Sequence, residues 1–131
     1  MTTQRTHNPT FIAVRSYHNG KSQQFILQYH KIVDLHYCEE SKITIRTTYN
    51  DERNEIIVNT QFSFKKFLKS LEIEKHGIVK LKNTYAVNMQ HISEVEPYKV
   101  LFADGRESCI ISRTANIYLL RCMKKTFGFI G

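Results

Sequence analysis

The sequence predicts a mainly β domain with two short helices, on three observations. Short apolar runs recur between polar turn residues, enough for about ten strands. An Asn19-Gly20 pair stands between two of those runs, a strong hairpin signal. Two segments, one after Ser63 and one after Ser112, change to the spacing of an amphipathic helix.

Residues 1–10 are polar, aperiodic and interrupted by Pro9, so they read as a flexible lead-in or linker remnant ahead of a domain over 11–131. Phe11–Val14 and Gln24–Leu27 flank the first turn. Ile32–Tyr37 and Lys42–Thr48 pair across Glu39-Glu40-Ser41, with Ile43 and Ile45 alternating against Thr44 and Arg46. Asn54–Thr60 returns as a further strand. Phe64, Phe67, Leu68 and Leu71 then line one helix face, with Ser63 as N-cap and Gly77 as stop. Short strands follow at Val79–Leu81, Tyr85–Val87, Ile92–Glu96, Lys99–Phe102 and Glu107–Ile111, joined by turns that include Pro97-Tyr98 and Asp104-Gly105. Ser112 caps a last helix in which Ile117, Leu120, Met123 and Phe127 are spaced for burial.

A chain of 131 residues suits one domain able to bury a core without staples. Lysine and arginine number 19 against 12 aspartates and glutamates, a formal charge of +7 that favours an acidic partner. The excess is unevenly spread: Phe64 onward holds twelve basic and six acidic residues, and the preceding part seven and six. Three cysteines at unrelated spacings argue against a disulfide framework and suit a reducing cytoplasm. No apolar run is long enough to span a bilayer, and the start lacks a signal-peptide core, so a cytoplasmic location is expected.

The chemistry-bearing stretch is Lys80-Leu81-Lys82-Asn83-Thr84-Tyr85-Ala86-Val87-Asn88, followed by His91-Ile92, Asp104-Gly105 and Ser112-Arg113. Lysine ammonium groups and threonine hydroxyls bind phosphate oxygens, an asparagine amide can both donate to and accept from adenine, and a guanidinium can fork onto guanine O6 and N7. Read locally, the same residues also make an ordinary solvated turn and helix start. Asn88 is expected to shape the turn before His91-Ile92 and lies outside the binding set.

Over roughly Phe11 to Phe127 this pattern resembles the LytTR family of bacterial DNA-binding domains, output domains of response regulators. The resemblance implies an elongated stack of small antiparallel sheets whose strand-end loops enter successive major grooves of double-stranded DNA. It implies that Lys42, Asn83 and Arg113 contact bases, the reading arginine falling at Ser112-Arg113 or at the next position, Thr114. Lys80, Lys82 and Thr84 are implied as backbone contacts. Lys124 and Lys125, near the end of the last helix, can add phosphate contacts or equally complement the helix dipole. Many members carry His-Arg where this chain has Lys82-Asn83, which implies a different sequence preference. It further implies direct repeats bound by two copies. Too few residues precede Phe11 for a receiver domain, so either a longer regulator or control by a partner protein is expected.

Enzyme chemistry is not expected. His36-x-Cys38 has no second ligand pair at metal spacing, there is no Gly-rich phosphate loop or Gly-x-Ser-x-Gly, and Glu94 and Glu96 read as the solvent face of a strand. No metal or cofactor is expected. The competing reading is a basic β-rich module for single-stranded RNA or an acidic protein, with Tyr17, Tyr29, Tyr49 and Tyr98 as stacking candidates.

Overall fold

The computed structural model describes residues 10–18, 20–39 and 41–128. Nine strands are present among them: β1 (Phe11–His18), β2 (Lys21–Gln28), β3 (Ile32–Cys38), β4 (Lys42–Thr47), β5 (Glu55–Asn59), β6 (Ile78–Lys82), β7 (Tyr85–Asn88), β8 (Ile92–Glu96) and β9 (Lys99–Phe102). Two α-helices, α1 (Phe64–Ser70) and α2 (Arg113–Phe127), complete the mainly β, two-helix arrangement that the sequence predicts. Seven strands form one antiparallel sheet in the order β2-β1-β5-β4-β3-β7-β6, and β8-β9 is a separate ribbon. The lead-in, Asn19 and Glu40 of the sequence reading lie outside the described residues, apart from Thr10.

The first hairpin is longer than the apolar runs alone suggest, because it pairs from Phe11↔Gln28 to His18↔Lys21. Gly20 takes φ +76° at its turn, a value that only glycine adopts cheaply. This hairpin joins the sheet through Ser16↔Val58, reinforced by the Ser16 hydroxyl donating to Ile57 O at 2.7 Å.

Two cores flank the sheet. Ile43 and Ile45 of β4, as their alternation predicts, point into the first with Leu35, Ile56, Ile78, Phe64 and Leu68. The second gathers Leu81, Tyr85, Val87, Val100, Phe102, Ile111, Ala115 and Leu119 beneath α2. Strand β7 serves both: Ala86 packs in the first, Tyr85 and Val87 in the second, and all four of its residues are buried. Such burial removes about 1.5–3 kcal/mol of exposure cost per large apolar side chain.

Ser63 accepts from Lys66 N and starts α1, as its sequence position predicts. The helix ends at Ser70, earlier than Gly77. Glu72, at φ +51°, breaks it, and a 3-10 turn over Ile73–His76 runs on to Gly77 at φ +76°. The segment 107–111 is not a strand but an extended strap. It makes the isolated bridge Leu101↔Glu107 and a backbone bond from Ser108 N to Val100 O at 3.0 Å, but the ladder goes no further there because the Ser108 hydroxyl accepts from Val100 N at 2.9 Å.

Helix α2 turns a different face inward from the one its spacing predicts. Ala115, Asn116 and Leu119 are buried, whereas Ile117, Leu120 and Phe127 are 48%, 38% and 50% exposed. The small Ala115 admits close approach, and Asn116 Nδ2 donates to Glu96 O at 2.5 Å, which fixes the rotation. Met123 is partly buried, as expected. No described helix is long and apolar enough to cross a membrane.

Candidate nucleic-acid interface

Three loops converge at one end of the sheet. In the β3–β4 hairpin, Cys38 pairs with Lys42 across a tip in which Ser41 sits at φ +61°. Thr60 N donates to Ser41 O at 2.9 Å, so the residue just after β5 braces that tip. Lys42 is exposed at the head of β4.

The second loop is the two-residue turn Asn83-Thr84 between Lys82 and Tyr85, which are register partners. Because β7 runs antiparallel to β3, with His36 opposite Tyr85, this turn emerges beside the β3–β4 tip. Tyr37 N donates to Thr84 O at 2.7 Å and fastens one loop to the other. Lys42 and the Asn83 turn are thus separated by β3, a spacing of about 10 Å for two strand intervals. Asn83 is exposed and Thr84 half-buried.

The third loop is the strap into α2. Ile111 is buried and its N–H donates to Tyr98 O at 2.8 Å, which pins the strap beside the helix start. Ser112 caps α2, its hydroxyl accepting from Ala115 N at 3.0 Å, and Arg113 is the first helical residue. Lys82 Nζ donates to Ile110 O at 3.1 Å and so joins this loop to the second. The structure therefore brings Lys42, Lys82, Asn83, Thr84 and Arg113 to one end of the molecule.

Lys80 goes elsewhere. A register shift between Lys80 and Lys82 absorbs Leu81 into the second core, and Lys80 lines a cleft with Lys65, Lys69 and Lys75 beside α1. Lys124 and Lys125 are exposed in the last turn of α2, where positive charge complements the helix dipole.

Arg113 breaks the same rule. It places a cation in the first turn of α2, which contains no acidic residue, although the helix N-terminus already carries partial positive charge. That costs the isolated fold stability and suits an anion lying against the helix start.

Beneath the loops lies a buried polar network. Asp34 accepts from Arg46 Nε at 2.8 Å, from Arg46 Nη2 at 2.5 Å and from the Tyr85 hydroxyl at 2.5 Å. Arg46 Nη2 also donates to Glu107 O at 2.9 Å, so the network grips the strap as well as β3, β4 and β7. The hydrogen bond with Asp34 raises the Arg46 pKa. Burial, then the Asp34 charge, raises that of Tyr85.

Sequence reasoning missed Ile110. The sequence places it in a strand, yet on the strap it is 76% exposed, an apolar residue whose backbone oxygen accepts from Lys82 Nζ. Asn88 shapes its turn as expected, accepting from Gln90 N at 3.0 Å, but does so at φ −91° and fully buried, with Nδ2 donating to Ile32 O. Among the described residues no group of three His, Cys, Asp or Glu is placed to hold a metal; His36 packs edge-on against Tyr85, and Cys38 Sγ lies 3.7 Å from Thr44 Oγ1.

The antiparallel sheet with its two helices has a LytTR-type fold, shown by likeness to a solved structure. A solved structure described as the LytTr DNA-binding domain of a methyl-accepting/DNA response regulator from Bacillus cereus superposes with a TM-score of 0.62. Identity is 14%, and the alignment covers 93% of this chain and 100% of that one. No family model and no curated protein matches the sequence.

Proposed function

We propose that this chain is a transcription regulator that binds double-stranded DNA sequence-specifically, its three clustered loops entering successive major grooves. Lys42, Asn83 and Arg113 read bases, and Lys82 and Thr84 hold the phosphate backbone at the turn. Ile110 supplies an apolar contact of the kind that recognises a thymine methyl group. The supporting observation is the convergence itself, because the bond from Tyr37 to Thr84 and the bond from Lys82 to Ile110 link three sequence-distant loops side by side. The solved structure that shares the fold is described as a DNA-binding domain, which agrees with this reading. Two copies on direct repeats, and a receiver domain or partner protein that controls them, complete the proposal.

Selection of sites from random duplex DNA tests it. The expected result is one enriched motif whose affinity falls steeply with salt, log K against log salt having a slope of roughly −0.9 per phosphate neutralised. Equal affinity for single strands, or no enrichment, would favour the single-stranded RNA or acidic-partner reading instead.

A further inference from the structure

A second feature lies apart from the loop rim, on the α1 side of the sheet. A cleft of about 620 Å³ opens between α1, the turn after it and β6, lined by Lys65, Leu68, Lys69, Glu72, Ile73, Glu74, Lys75 and Lys80. Its volume is in the range that holds a small organic molecule. Leu68 and Ile73 are core residues, so their edges form an apolar floor, and the lysine stems extend it. Four lysines and two glutamates line it, a surplus of two positive charges. Lys75 Nζ is held by Glu72 at 2.7 Å, which orders one wall.

An apolar floor rimmed by lysines of three different elements is not what folding alone requires. Lys65 and Lys69 come from α1, Lys75 from the 3-10 turn and Lys80 from an edge strand. Like charges gathered around one concavity repel, and that repulsion is relieved when an anion enters. We infer that this cleft binds a small amphipathic organic anion, its carboxylate or phosphate head among Lys65, Lys69 and Lys80 and its hydrocarbon body over Leu68 and Ile73. Lysines rather than arginines suit a head recognised as a point charge instead of a planar fork. Because Lys80 continues through β6 to the Asn83 turn, an occupant sits at the base of the strand that carries the rim.

The test uses the whole chain and anilinonaphthalene sulfonate, a fluorescent amphipathic anion. Saturable binding of one probe per chain is expected, displaced by decanoate or decyl phosphate below their micelle concentrations, whichever head group the site prefers, and not by inorganic phosphate at the same concentration. The double variant Lys65→Gln/Lys69→Gln should weaken binding about tenfold or more. Lys124→Gln/Lys125→Gln, which removes the same charge from α2, should leave it within about twofold. All four lysines are exposed, and circular dichroism melts verify that both variants fold. Equal loss in both variants, loss only in the α2 variant, displacement by inorganic phosphate, or stoichiometric displacement by duplex DNA would each overturn the assignment. The first three would mean diffuse charge or the exposed α2 face, and the last would make the cleft part of the DNA footprint.

Discussion

The Tyr85 hydroxyl donates a 2.5 Å hydrogen bond to Oδ2 of Asp34, and both residues are about 1% exposed. Tyr85 directly follows the Asn83-Thr84 turn, so this bond sets the root of the middle loop from inside the protein. Tyr85→Phe keeps the ring but strips one donor from a buried carboxylate, which should cost about 2 kcal/mol in urea unfolding. A pH dependence follows as well. Burial and the Asp34 charge raise the Tyr85 pKa above its ordinary value of 10.0. A group with a raised folded pKa contributes full stability below its unfolded pKa and loses it as pH rises toward the folded value. Tyr85 should therefore make thermal midpoints fall beyond about pH 10, adding to the loss that begins at about pH 9 from the Cys109 thiol, whose pKa burial also raises. The fall should be smaller in Tyr85→Phe, with Tyr29, raised by burial and by Glu72, accounting for part of what persists. An alkaline decline identical in wild type and variant would contradict this account.

Arg46 is the partner that makes a buried Asp34 tolerable. Arg46→Met leaves the carboxylate with Tyr85 as its only described side-chain donor and releases Glu107 O from the strap, so a loss of about 3–5 kcal/mol is expected. Adding Asp34→Leu removes the stranded charge and should recover part of that loss, leaving the double variant more stable than Arg46→Met alone. Denaturant midpoints of the three proteins decide the matter. Additive losses would mean that the pair contributes little.

The alternation of Ile43 and Ile45, the Asn-Gly hairpin and both serine caps were legible because each depends on neighbours in sequence. The Arg46–Asp34–Tyr85 network was not, since its members come from β4, β3 and β7 and meet only through strand order. Helix α2 shows the other limit. Its apolar spacing marked a helix correctly, but two apolar faces were available, and the bond from Asn116 to Glu96 chose between them. Residues of the candidate interface could be named from their pattern. Their gathering at one end depended on the β3–β7 pairing, and the departure of Lys80 on a register shift that no local residue announces.

Asn83 and Lys82 are adjacent but should fail differently. Asn83→Ala removes an amide able to pair with adenine, so discrimination at one position should relax by about 1–3 kcal/mol. Lys82→Ala removes a point charge together with the tie to Ile110 O, so every duplex should weaken and the salt slope should become shallower by about one unit. Competition binding with a selected site and single-base variants separates the two outcomes. A selected site whose preferences survive Asn83→Ala would show that the amide does not read it.

Arg113 offers the sharpest opposition between folding and binding. At the first position of α2 its charge opposes the helix dipole, and no acidic residue offsets it in that turn. Arg113→Glu should therefore stabilise the free protein by up to about 1 kcal/mol, seen as a higher melting temperature. The same change sets a carboxylate against the phosphates, so duplex affinity should fall by well over tenfold, the loss easing as salt is raised. Ser112→Ala is the contrasting variant: losing the hydroxyl that accepts from Ala115 N should cost about 1 kcal/mol of stability while leaving the arginine charge in place. Melting temperature should thus rise while affinity falls for Arg113→Glu, whereas for Ser112→Ala the melting temperature should fall with the charge-dependent affinity largely kept. If Arg113→Glu melts higher yet binds duplex as well as the wild type, the helix start does not face DNA.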